Sequence, residues 1–460
     1  MIAAGNCPIG CHRAMRLRLP LLLLLAGMSC QWAVSPSPTP RFSPPEAPPS
    51  LSLSEKAEWY ERNVEENHLT SDGLVAYKAR LPVMKVEEIE ILDLPDGAAW
   101  TGCALAAEAF RYAVTGGPAA LEKIRRLLKA LHLLQEVTGV RGLLARTFIR
   151  GDLPSSFRSG HGEWHRGQGP FSGYSWRGDV SNDQYAGVMF GYGICYDLIA
   201  DKEVRGKIIQ DVQALMDHIV DHGMAIVDLD GQVTTHGGMS PRSWEDLDAL
   251  LALSFLKTAF HITGSLKFQE KYRELIERQG YHRRAAKARD KWWEYFLGVN
   301  HSDNHLAFLA YYNLLRLEKD PELLHEYRKG LERSWRVVLD EGNSFFNFVY
   351  IGLTANPLGQ AWSDAVETLR LFPEGKRVVE VRNSRRKDIR KAWFSDRHGK
   401  PQAKRPLPVY QRPANAFEWK ANPYRLDGHP GSRGEAEYAG VDYLLAYWLG
   451  RYHGFISGDM

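Results

Sequence analysis

Residues Tyr185–Leu198 read YAGVMFGYGICYDL, with Asp197 as the only charged side chain. A stretch of helical length that is apolar on every side must be buried on every side. After the short link Ala200-Asp201-Lys202, the pattern changes. Ile208, Ile209, Val212, Leu215, Met216 and Ile219 recur at spacings of three and four, the mark of a helix with one wet face. A buried helix, a tight link and a half-wet helix make an antiparallel hairpin. Gly187, Gly191 and Gly193 inside the buried member predict close packing against a neighbour.

The same pairing recurs along the chain. Trp100–Val114 is followed by a stripe of Leu121, Ile124, Leu127, Leu128, Leu131 and Leu134. Leu247–Ile262 is followed by Phe268, Tyr272, Leu275 and Ile276. Leu306–Leu317 is followed by Leu323, Leu324, Tyr327, Leu331, Trp335 and Val338. The links Thr115-Gly116-Gly117-Pro118, Thr263-Gly264-Ser265 and Glu318-Lys319-Asp320-Pro321 carry the Gly and Pro that stop one helix and start the next. Trp362–Phe372 is expected as a fifth inner helix and Tyr438–Tyr452 as a sixth. Trp59–Asn67 would close the circle as the outer partner of the sixth.

Buried helices alternating with half-wet ones predict two concentric rings. The layout resembles the (α/α)6 toroid of many glycoside hydrolases, polysaccharide lyases and sugar epimerases, over roughly residues 52–456. The expected fold is thus all-α, one toroid domain with long loops on one rim. An open α-solenoid is the alternative, and the absence of clear sequence repeats favours closure. Ile226–Thr234, with Asp230-Gly231 at its turn, reads as one β-hairpin decorating that rim.

The start of the chain reads differently. A basic segment (Met15–Pro20), an apolar run (Leu21–Ala26) and small residues at Gly27 and Ser29 form the layout of an export signal over residues 1–30. The apolar run is too short to span a bilayer. Cys30 sits where bacterial lipoproteins are acylated, although Gly27 stands where a Leu-like residue is usual. Ser35–Ser50 (SPSPTPRFSPPEAPPS) must be extended, so residues 31–51 are expected to tether the domain to a membrane. Cys103 and Cys195 fall inside apolar helices and read as core.

Composition excludes some functions. Lys+Arg 58 against Asp+Glu 55 gives a net charge of +3, unlike a strongly basic nucleic-acid binder. No phosphate loop, nucleophile elbow or dinucleotide fingerprint stands out. His161-Gly162-Glu163-Trp164-His165 and His301-x-x-x-His305 lack the His-Glu-x-x-His order of a zinc helix. No metal or cofactor is expected. Lys376–Lys391 is rich in Arg and Lys and reads first as a solvated segment.

Polar clusters recur where the inner helices should begin. They are Trp176–Tyr185, His236–Asp246, Asn300–His305, Phe345–Phe348 and Asp427–His429. Helix capping explains single members, such as Ser181-x-x-Gln184, but not the added Trp, His and Asn. Long loops on a rigid scaffold commonly carry sites. Glycoside cleavage needs one carboxylic acid and one carboxylate. Asp183 and Asp303 are the first candidates, with Asp179 and Asp246 in reserve. Trp100, Trp176 and Trp244 are expected to stack on sugar, and Asn300, His301, Asn347 and His236 to bind hydroxyls. The expected activity is that of an exported, lipid-anchored glycoside hydrolase acting on a poly- or oligosaccharide. A lyase on the same scaffold would instead use His236 or Tyr185 as base, with Arg146, Arg177 or Arg242 against a uronate. A non-catalytic glycan-binding lipoprotein is a third reading, and a metal-dependent hydrolase a fourth.

Overall fold

Six buried helices follow one another around a ring and meet end to start. They are α2 (Gly97–Thr115), α4 (Asn182–Leu198), α6 (Asp246–Thr263), α9 (His301–Leu317), α11 (Ser344–Thr354) and α13 (Val441–Tyr452). Each packs on the next, and α13 packs back on α2. This closure makes the fold an (α/α)6 toroid. A computed structural model describes residues 51–80, 90–93, 96–151, 163–289, 294, 298–354, 359–396, 398–458 and 460. The export signal, Cys30 and most of the Pro-rich tether lie outside the described residues, as does His161.

The outer ring is α3 (Pro118–Glu136), α5 (Lys202–Asp221), α7 (Leu266–Glu277), α10 (Pro321–Arg336), α12 (Gln360–Arg370) and α1 (Leu53–Asn63). A short helix, α8 (Tyr281–Ala285), lies between α7 and α10. Local chemistry sets the helix ends. Ser181 and Gln184 form the expected capping box. Asp201 and Asp320 cap α5 and α10, and Gly116 and Gly264 end α2 and α6 in the left-handed conformation. Lys56 of α1 reaches carbonyls at and just beyond the end of α12, donating to Arg370 O at 2.7 Å and Phe372 O at 2.6 Å.

The inner ring closes tightly because glycines face each other. A Cβ on Gly187 would lie 2.5 Å from Ala99 O, and one on Gly191 would lie 2.2 Å from Gly102 O. Cys103 and Cys195 are buried free thiols in this core.

Two expectations are corrected. The fifth inner helix is α11, not Trp362–Phe372. SFFNFVYIGLT is the apolar-all-round segment, so the Phe345–Phe348 cluster lies inside a buried helix rather than before one. Gln360–Arg370 buries Ala361, Ala365, Val366, Thr368 and Leu369 and is its outer partner. The last inner helix starts at Val441, because Asp427–Tyr438 is a strand.

β-structure also exceeds the single hairpin, which is present as β6 (Ala225–Val227) and β7 (Val233–Gly238). Strands β3 (Thr147–Arg150), β4 (Trp164–Arg166) and β5 (Tyr174–Arg177) form a sheet in the order β3-β5-β4. Strands β1 (Lys78–Arg80), β2 (Glu90–Asp93), β8 (Lys376–Arg382) and β11 (Asp427–Tyr438) form another in the order β2-β1-β11-β8. A hairpin pairs β9 (Lys391–Ser395) with β10 (Pro401–Ala403). The basic segment after residue 376 is therefore partly structural. Lys376 is buried in an ion pair with Asp442.

Candidate active site

All six inner helices begin on one rim, and polar contacts link neighbouring starts. Gln184 Nε2 donates to Asp96 Oδ1 at 2.8 Å, and Asn182 Nδ2 to Asp248 Oδ1 at 3.0 Å. His301 Nε2 lies 2.9 Å from Glu341 Oε2. Asn343, ahead of α11, donates to Trp419 O at 3.0 Å, and Asp442 of α13 accepts from Glu418 N at 2.6 Å. The last two contacts tie down a strap, residues 412–422, that crosses the centre of this rim. Phe417, Glu418 and Trp419 of the strap are buried.

Beneath the strap lies a small cavity lined by Asp96, Trp100, Asp183, Gln184, Ser302, His305 and Lys420. Its free volume is about 10 Å³, the least that holds one water. Asp183 is half-buried at this point and has no hydrogen-bond partner among the described residues. Burial raises its carboxyl above the usual carboxylate range. Asp96 and Asp303 push the same way, and Lys420 and Arg146 oppose them. Asp303 is ion-paired to Arg289 at 3.2 Å. Asp248, near the start of α6, is bonded to Asn182 and Ser243. Burial, with help from Glu245 and Asp303, lifts it to about 6. His305 is held neutral, down to about 3, by burial and the nearby Lys420 ammonium. On this rim Asp183 and Asp303 are close enough for their charges to interact, and Asp96, His305 and Lys420 line the cavity with Asp183.

Other candidates are placed elsewhere or committed to the fold. Asp179 adopts a left-handed backbone (φ 51°). Its carboxylate accepts from Thr235 N and Oγ1, while its own N–H donates to Asp228 at 2.7 Å. It fastens the β6–β7 hairpin to the rim. Asp246 is held by Arg284 at 3.1 Å. Arg146 bridges Asp96 and Asp179 O. Trp100 is 3% exposed, with Phe417 stacked on one face. Trp176 is 1% exposed and lies against His165. Neither has an open face for a sugar. Tyr185 is buried and bonded to Leu144 N and Gly142 O, which removes it as a base. Asn347 is buried between Trp335 and Asp364. Arg177 is buried in β5. His236 is exposed on the β6–β7 hairpin, and Trp244 is 80% exposed. Asn300 and His301 open α9 and line a second cavity, together with Lys420.

The missed residues left little trace in the sequence. Asp248 sits two positions from Asp246, and only packing decides which faces the crater. Lys420 reaches the site through the strap, far along the chain from Asp183.

No family model matches the chain, and no curated protein does. Solved structures share its helical layout at low identity. An α-1,6-mannanase of glycoside hydrolase family 76 from Salegentibacter sp. HEL1_6 is 12% identical, with 87% of this chain and 99% of that one covered and a TM-score of 0.43. A polysaccharide lyase is 13% identical, with 88% and 98% covered and a TM-score of 0.41. A cellobiose 2-epimerase from Spirochaeta thermophila is 11% identical, with 88% and 98% covered and a TM-score of 0.39.

Proposed function

We propose that this protein is a carbohydrate-active enzyme, a glycoside hydrolase whose acid is Asp183 and whose base or nucleophile is Asp303. The observation that carries the reading is the environment of Asp183. A carboxyl with no hydrogen-bond partner among the described residues, its proton affinity raised by burial and by neighbouring carboxylates, is suited to hand a proton to a leaving oxygen. Asp303, paired with a guanidinium on the same rim, supplies the second carboxylate that glycoside cleavage requires. With the space under Phe417 filled, sugar would sit at the mouth of the cavity, over Asp183, Asp248 and Lys420.

A panel of neutral and acidic oligosaccharides, with products identified by mass, tests this. Hydrolysis adds water to the product. Asp183→Asn and Asp303→Asn should each keep the fold and lose about 10²–10⁴ in turnover. An unsaturated product would mean a lyase. Binding with no cleavage would mean a glycan-binding protein. Full activity in both variants would remove the assignment.

We also place the enzyme outside the cytoplasm, held to the envelope by a lipid on Cys30. The support is the signal layout and the Pro-rich stretch behind it. Partition of the full chain into a detergent phase, and its loss in Cys30→Ala, is the expected outcome. Partition unaffected by Cys30→Ala would exclude the lipid.

A further inference from the structure

Next to the carboxylates lies a second cavity, of about 160 Å³, that the reaction chemistry does not use. Its floor is the start of α9 at Asn300–Ser302. Its walls come from the strap and from the turn between β9 and β10. The charges around it are unequally committed. Asp396, the carboxylate in its lining, is spent on its own turn, accepting from His398 N at 2.9 Å and Lys400 N at 2.8 Å. Arg412 is likewise spent, on Leu407 O, Glu418 and Glu341 O. Arg425 uses only Nε, donating to Asp427 O at 3.0 Å. Among the described residues its two terminal nitrogens have no partner. The Lys420 ammonium has no hydrogen bond among them either. Its ammonium rests 4.8 Å from the Trp100 ring and 3.9 Å from Asp96.

Two further features face an anion. The side chain of Asn300 does not cap α9, a helix of 17 residues, so its first-turn N–H groups lack the usual N-cap acceptor. Such an end attracts negative charge. His301 lines the same cavity and is 4% exposed. Its Nε2 is engaged by Glu341, while its Nδ1 has no partner among the described residues. A buried ring nitrogen without a partner is a cost that a bound group could remove.

We propose that this cavity is a subsite for an anionic substituent on the glycan, a uronate carboxylate or a sulfate ester, held by Arg425, Lys420 and the start of α9. The proposal rests on the glycan-processing reading and narrows its substrate class. A planar guanidinium with two open nitrogens suits a two-pronged bond to either oxyanion. Lys420 lines both cavities. A substituent in this one would therefore place the adjoining sugar ring beside Asp183.

The test is calorimetric binding to the full chain carrying Asp183→Asn, so that nothing turns over. The probes are a trigalacturonate, a sulfated trisaccharide, a neutral trisaccharide and inorganic sulfate. At least one charged sugar should bind about tenfold or more tightly than the neutral one, with an advantage that shrinks in salt. The better of the two charged sugars identifies the substituent, and inorganic sulfate reports the subsite without the sugar. Arg425→Gln should abolish the advantage and leave neutral binding unchanged. Asn300→Asp should do the same while preserving or raising the melting temperature, because Asp caps a helix well and fills the anion's place. It keeps the test decisive if Arg425→Gln does not fold. Equal binding of charged and neutral sugars, or a preference that survives both variants, would overturn the subsite. Cleavage of neutral glycans without acid preference removes the subsite alone. Anion-selective binding with no cleavage by the wild-type chain removes the hydrolase reading alone.

Discussion

The ring of Phe417 lies flat on that of Trp100, with centroids 4.6 Å apart and planes 11° from parallel. The Lys420 ammonium is 4.8 Å from the same indole. A ring of inner helices has a crater at its centre, and here the chain's own strap fills it. Phe417→Ala should cost about 3–5 kcal/mol of stability and uncover one face of Trp100. Chemical denaturation measures the first, and collisional quenching of tryptophan fluorescence under native conditions measures the second. Unchanged quenching would show that the strap covers Trp100 without Phe417.

Lys420 lowers the proton affinity of Asp183, opposing burial. If Asp183 is the acid, activity falls as pH rises through its titration. Lys420→Met should then move the high-pH limb of kcat/KM to higher pH. A limb that stays in place would assign it to another group.

Asp248 titrates near about 6 in the folded chain, against about 3.9 for an ordinary Asp. The folded state therefore holds this proton more tightly than the unfolded chain does. Stability from this group falls as pH rises from about 4 to about 6 and is level above, a loss of at most about 3 kcal/mol. Asp248→Asn removes the charge. Its melting temperature should exceed the wild type at pH 7 and match it at pH 4. Equal differences at both pH values would contradict this.

Between α1, α2 and α3 lies a buried ionic cluster. Lys123 Nζ is 2.9 Å from Glu61 and 3.2 Å from Glu108, and Arg111 reaches both carboxylates. Burial and the charge of Glu61 push the carboxyl of Glu108 above the usual carboxylate range, opposed by Lys123 and Arg111. Lys123→Met should cost about 3–5 kcal/mol by leaving buried carboxyls uncompensated. Glu108→Gln, which resembles the protonated acid, should cost under about 1 kcal/mol. Urea unfolding at pH 7 compares them. Similar losses would mean that Glu108 is ionised.

Gly187→Ala sets a methyl 2.5 Å from a carbonyl of α2. Backbone cannot turn aside as a flexible side chain does, so the loss should reach the upper part of the range of about 1–3 kcal/mol for overpacking. Thermal unfolding is the measurement. A neutral result would mean that α2 and α4 can separate without loss.

Much of this was legible in the residues. Periodicity located four inner and four outer helices, and the Ser181–Gln184 cap marked where α4 begins. The fifth pair is ambiguous in the sequence because Trp362–Phe372 mixes apolar and polar residues, and only in the structure do its buried positions form a single face. The Phe-rich α11 holds the Phe345–Phe348 cluster inside a buried helix of 11 residues, a length too short for periodicity to stand out. Strands β8 and β11 were missed since each is stabilised by a partner remote in sequence. At the site, residue type alone misplaced Trp100, Trp176, Tyr185 and Asn347. An aromatic or an amide near a helix start serves a core as readily as a sugar.

What the sequence determined by itself was most of the hairpin series and a preference for closure. Helix periodicity and capping act within a few residues, and burial on every side requires neighbours on every side. Only the tertiary structure decided which carboxylate faces the crater, what fills that crater, and where positive charge is left unspent. Those depend on residues far apart in sequence, Asp183 with Lys420 in one cavity and Lys420 with Arg425 in the next, brought together from helices, the strap and the segment after it. Burial and Coulomb interactions act through space, and no local pattern encodes that distance.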